Sequence, residues 1–98
     1  QGLDLLAPWI ALSSMKNFAW ERTKRDKYGQ QQWRTINVPV ADGVCPVPEY
    51  IAALHKLGYR GVISMHSEYK GRHSFQNLDT DGCIAQTEKD IQFIRQFI

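Results

Sequence analysis

Cysteine is scarce in this 98-residue chain: Cys45 and Cys83 are the two, far apart and without a C-x-x-C spacing, so no metal-type cysteine motif is present. Reduced thiols in a cytoplasmic protein are the expectation. No apolar run approaches the roughly 20 residues that a membrane-spanning helix needs, and no signal peptide is visible. P-loop and dinucleotide-binding glycine patterns, internal repeats and extended low-complexity tracts are missing too. Charge of one sign is also in short supply: the net charge is +2, which does not by itself call for a nucleic-acid partner. An initiator methionine is lacking as well, and Gly2-Leu3-Asp4-Leu5-Leu6-Ala7 reads as the end of a helix, so the expectation is a fragment forming at most one domain, 1–98.

What is present is a helix–strand–helix pattern. Pro8 stops the opening helix, and Trp9 to Lys16 reads as a strand. Positions 17–46 form a long connection with Phe18, Trp20, Tyr28 and Trp33 among charges, a short extended segment over 34–40 and a turn at Asp42-Gly43. A connection of that length is often a lid or binding loop. Its aromatics either cover a core edge or stack on a ligand. Pro48 opens a helix whose apolar stripe is Tyr50, Ile51, Leu54 and Leu57, and Gly58 ends it. Gly61 to Ser67 is the next strand, and Ile84, Ile91, Ile94 and Ile98 repeat at helical spacing over 84–98. The two strands should be adjacent and parallel, with the helix over 48–57 as the crossover between them.

Side chains alternate across a strand, so Leu12, Ser14 and Lys16 share one face, as do Val62, Ser64, His66 and Glu68. Both series pass from apolar to polar toward the C-terminal end, where parallel α/β folds carry their chemistry. His66 and Glu68 either ligate a divalent cation (Mn, Mg, Co or Zn) or satisfy each other and nearby backbone. Lys16 either stabilises an anionic oxygen or reaches solvent. Trp20, Arg72 and His73 are the candidate substrate contacts, and His55 is a surface residue on the crossover helix.

Leu5-Leu6-Ala7-Pro8-Trp9-Ile10, Met15-Lys16-Asn17-Phe18, Val38-Pro39-Val40-Ala41-Asp42-Gly43 and Pro48-Glu49-Tyr50 through Leu57-Gly58-Tyr59-Arg60-Gly61 together resemble the C-terminal part of the xylose isomerase-like TIM-barrel family, the sugar phosphate isomerases/epimerases. The resemblance implies an α/β fold: the end of helix six, strand seven, helix seven, strand eight and helix eight of a (β/α)8 barrel. It further implies a metal-assisted isomerase or epimerase that moves a proton through an enediolate of a small sugar or sugar phosphate, with Lys16 and Glu68 catalytic and His66 and Glu68 on the metal. Ser14 stands where many members have a metal-binding histidine, and His66 where they have a glutamate. The rival functions are a non-catalytic sugar-binding protein and a metal-dependent endonuclease on the same scaffold. Lacking the remainder of the barrel, such a piece should self-associate or be only partly ordered.

Overall fold

Proline and glycine positions set most of the element boundaries. A computed structural model describes residues 2–98. Helix α1 (Gly2–Leu6) passes into a 3-10 turn over Ala7–Trp9 with Pro8 inside it, and strand β1 (Leu12–Met15) follows. Strands β2 (Asn17–Arg25) and β3 (Gln31–Val38) come next, then a 3-10 turn at Val40–Asp42. Helix α2 (Val47–Lys56), strand β4 (Val62–Met65) and helix α3 (Thr80–Arg95) complete the chain.

Helix α2 begins with Pro48 in its first turn, where the missing N–H costs nothing, and buries Val47, Ile51 and Leu54. Gly58 ends it at a φ of +77°, with its N–H donating to the His55 carbonyl and that of Tyr59 to the Leu54 carbonyl. Helix α3 starts at Asp79, whose side chain accepts from the Gly82 N–H at 2.7 Å. Strands β1 and β4 pair in parallel, Leu12 with Val62 through Met15 with Met65. One face of this pair, with Met15, Ile63 and Met65, packs on Val47 and Ile51 of α2 and Ile94 of α3; Val40 completes the core. The isoleucine stripe of the last helix is buried only at its centre: Ile94 is buried, whereas Ile84 and Ile98 are exposed.

The expected barrel piece is not what forms. Among the described residues there are four strands in two separate two-stranded sheets, one parallel (β1–β4) and one antiparallel (β2–β3). A barrel of eight strands needs a continuous parallel sheet, so the TIM-barrel fold and the assignment to the xylose isomerase-like family are both overturned. The physical reason lies in the motifs themselves: they encode a helix stop, a strand and a crossover helix, and any single βαβ unit uses the same signals. The segment read as a long connection is instead a hairpin. Its turn is set by Asp26, whose Oδ1 accepts from the N–H groups of Tyr28 and Gln30, both at 2.9 Å, and by Gly29 at a φ of +79°.

Two buried polar groups fasten the hairpin and α3 to the rest. Asn17 donates from Nδ2 to the carbonyls of Val40 (2.8 Å) and Cys45 (3.1 Å), and its Oδ1 accepts from the N–H groups of Phe18 and Cys45. Asp90, 2% exposed, accepts from the Val40 N–H, Gln86 and the hydroxyl of Tyr69, the last at 2.5 Å. Burial, reinforced by the hydrogen bond and the charge of Asp90, pushes the Tyr69 phenol above its ordinary 10.0. The folded chain therefore holds a proton that the unfolded chain gives up first. Its stabilisation is complete below the unfolded value and is lost as pH rises toward the folded one. Urea midpoints measured between about pH 9 and 11 should fall with pH in the wild type and fall less in Tyr69→Phe; parallel curves would contradict this origin. No helix among the described residues is long and apolar enough to cross a membrane.

Candidate functional site

On the face of β1–β4 turned away from the core, side chains stand in rows. Leu12 lies beside Val62, and the hydroxyls of Ser14 and Ser64 meet at 3.2 Å. The His66 N–H donates to the Met15 carbonyl at 2.9 Å, carrying the ladder one step past the strands, so that Lys16 and His66 emerge at the same end. Lys16 Nζ donates to Glu68 Oε1 and Oε2 at 3.4 and 3.5 Å, and His66 Nδ1 lies 3.9 Å from the same Oε1. Lys16 is thus brought to His66 and Glu68, the last of them 52 positions away in the chain. Each is about half exposed, which leaves all three able to bond a solute.

The hairpin supplies a second component. Phe18, Trp20 and Arg22 pair with Asn37, Thr35 and Trp33, and directly opposed residues share a face. Trp20 and Trp33 are 58% and 50% exposed and line a shallow apolar recess, so these rings do not cover a core edge. Phe18 meets the Trp20 ring edge-on at 5.9 Å, and the Arg22 guanidinium lies 5.4 Å from the Trp33 ring centre. Asn37, on this same face, donates from Nδ2 to the Glu68 carbonyl at 3.2 Å. The aromatic face therefore adjoins the charged group. Arg72 and His73 follow in the exposed loop after β4; the His73 carbonyl accepts from the Asn37 N–H at 2.6 Å, but neither side chain makes a hydrogen bond or ion pair. His55 is exposed on α2, as expected of a surface residue. Trp33 is one of the connection's aromatics named from the sequence, whereas the places of Arg22 and Asn37 on the same face emerge only with the hairpin register. Their period-two alternation with Trp20 was the available signal, obscured by the charges around them.

The donor set is a poor match to a divalent cation. His66 and Glu68 offer two ligands, Ser14 adds none because its hydroxyl is engaged with Ser64, and the Lys16 ammonium occupies the carboxylate that a metal would need. Among the described residues no group of three or more His, Cys, Asp or Glu side chains could hold a metal ion. With neither the barrel nor such a cluster, the metal-assisted enediolate isomerase reading is overturned. Compared with known proteins, the chain matches no family model, no curated protein and no solved structure.

Proposed function

We propose that the chain is a binding module for a small polyhydroxylated ligand, a sugar or sugar phosphate, held between the Lys16–His66–Glu68 group and the exposed ring of Trp20. The observation that carries this reading is the convergence of an ammonium, an imidazole and a carboxylate, all half exposed, next to an aromatic face. A sugar presents neighbouring hydroxyls, each of which both donates and accepts. Lys16 donates only and ionised Glu68 accepts only, so the pair matches such a diol. The apolar face of a pyranose is the natural occupant of the recess beside Trp20, and a phosphate would be drawn to Lys16 and to His66 in its protonated form. Arg72 and His73, unpaired on the following loop, are further contacts for the ligand's outer hydroxyls. A cytoplasmic setting fits the free thiols of Cys45 and Cys83.

Titration with a neutral hexose, a pentitol and a hexose phosphate, followed by tryptophan fluorescence and amide shifts, tests the proposal. Saturable changes centred on positions 16, 20, 66 and 68 are expected. Lys16→Ala and Glu68→Gln should each weaken binding by about tenfold or more, since a hydrogen bond to a charged group contributes about 1.5–3 kcal/mol. Lys16→Ala should affect the phosphorylated sugar most. No saturable change with any of the three at concentrations well above ~1 mM, where binding contributes less than about 4 kcal/mol, would reject it.

A further inference from the structure

The positive charge of the chain is unevenly placed. Positions 17–38, which hold β2, its turn and β3, carry five cations (Arg22, Lys24, Arg25, Lys27 and Arg34) against Glu21 and Asp26, whereas the rest of the chain has one more acid than base. Both hairpin acids are already engaged. Glu21 Oε2 accepts from Arg34 Nε at 2.6 Å, and this opposed pair lies on the face that alternates away from Trp20. Asp26 is held in the turn by the N–H groups of Tyr28 and Gln30 and by Gln32 Nε2 at 3.1 Å. On the other face the register sets Phe18, Trp20 and Arg22 against Asn37, Thr35 and Trp33, and an irregularity after Arg22 brings Arg25 opposite Gln31. These eight residues include two guanidinium groups and no carboxylate. Arg22, Lys24, Arg25 and Lys27 are all exposed, and Arg25 spends one of its five N–H donors on the Gly29 carbonyl at 2.7 Å.

We propose that this hairpin face binds single-stranded nucleic acid, with bases stacked on Trp20 and Trp33 and phosphates held by Arg22 and Arg25. Both indoles are half exposed or more and line one recess of about 360 Å³. They are diagonal neighbours across the strand pair, about 7–8 Å apart at the backbone, so each ring is a platform for its own base. Every base has a π-face and every nucleotide a phosphate, so aromatic rings set among guanidinium groups on an acid-free face complement both at once. The Arg22 guanidinium, 5.4 Å from the Trp33 ring centre, puts the charge beside the platform, and Lys27 stands likewise 5.1 Å from the exposed Tyr28 ring at the tip. A neutral sugar would use the rings and leave these cations idle. A duplex keeps its base faces in the stack, so the unpaired strand is the form that fits. The net charge of the whole chain hides this feature, because the remainder offsets part of the hairpin's excess. The strand meets the sugar site only at Trp20; Trp33, Arg22 and Arg25 take no part there, so either reading stands or falls without the other.

Fluorescence anisotropy of end-labelled oligo(U) and oligo(dT) of about ten nucleotides, titrated with the full chain, tests this. Saturable binding with quenching of tryptophan fluorescence is expected, and the tighter of the two strands identifies the partner as RNA or DNA. A duplex of the same length should bind about tenfold more weakly or worse. Raising salt from about 50 to 200 mM should weaken single-strand binding by about 20- to 50-fold, the release of about three or four counterions. Trp33→Ala should cost about tenfold or more, while Trp33→Phe, which keeps a ring, should retain most of the affinity and guards against misfolding. Arg22→Ala and Arg25→Ala should each weaken binding and flatten its salt dependence. Lys56→Ala, at an exposed cation on α2, should change nothing, and Trp33→Ala should leave the hexose phosphate titration as it was. Three results would each overturn the proposal: no saturable binding of either strand at about 100 μM protein in low salt, duplex bound as tightly as single strand, or binding indifferent to Trp33→Ala and matched by heparin, a polyanion without bases.

Discussion

Replacing Asp90 by alanine is expected to lower the unfolding free energy by about 3–5 kcal/mol, the sum of the desolvation penalties of the groups it leaves without a partner. Asp90 is 2% exposed and holds three parts of the chain at once: the Val40 N–H in the 3-10 turn, the Tyr69 hydroxyl after β4, and Gln86 one turn earlier on its own helix α3. The Val40 N–H, itself buried, would have nothing to bond. Tyr69 would keep only its longer contact of 3.4 Å to the Val38 carbonyl. A chain of this length has a small reserve of stability, at the lower end of about 5–15 kcal/mol, so the change should remove much of it. Urea denaturation reads the effect as a lower midpoint with an unchanged slope. Asp90→Asn retains the shape and one acceptor and should cost about half as much. The alanine change should be milder in a Tyr69→Phe background, because the two residues share one hydrogen bond. A midpoint for Asp90→Ala equal to that of the wild type would show that this buried group contributes nothing.

The second large effect is expected at Gly43. A Cβ built there falls well inside contact distance of Asn17 Cγ and Oδ1, and Asn17 is a fully buried side chain with four hydrogen bonds. Asn17 has no open space to move into, so Gly43→Ala should cost about 2–4 kcal/mol by overpacking and by breaking some of those bonds. Asn17→Ala should itself cost about 2–4 kcal/mol, since it abandons the Phe18 and Cys45 N–H groups and leaves a void. The double variant is the sharp test. With the Asn17 side chain gone, the methyl group at position 43 has room, so the double variant should be no less stable than Asn17→Ala alone. Simple addition of the two costs would show that the close approach of these residues is not what requires glycine. Asn17 also joins the two sheets, since it follows Lys16 and opens β2. Its loss should therefore loosen the ligand group as well, seen as broadened amide signals around positions 16 and 68.

Alternation and helical spacing made β1, α2, β4 and α3 legible, because each element is specified by residues a few positions apart. The same alternation placed Leu12, Ser14 and Lys16 in line, with Val62, Ser64, His66 and Glu68 beside them, and the parallel register puts the rows together. What was not legible was the extent of the sheet. A βαβ unit uses the same local signals whether it stands alone or recurs around a barrel, so motifs resembling a barrel family said nothing about how many strands lie beside it. The hairpin escaped notice for a related reason: its strands run through a charge-rich segment, and its turn depends on Asp26 bonding two particular N–H groups. Ile84 kept the spacing of a buried stripe yet is 56% exposed, since a stripe shows which side of a helix is apolar and not whether anything covers it.

Local order is written in neighbours along the chain, and for that reason the amino-acid sequence by itself determined the elements and the faces that their side chains share. The clamps at Asn17 and Asp90, and the meeting of Lys16 with Glu68, join residues 21 to 52 positions apart. No periodicity records such pairs. Only the tertiary structure decided them, because they form only where the packing of helices and sheets brings distant polar groups within hydrogen-bonding reach and, at Asn17 and Asp90, excludes the water that would otherwise satisfy them.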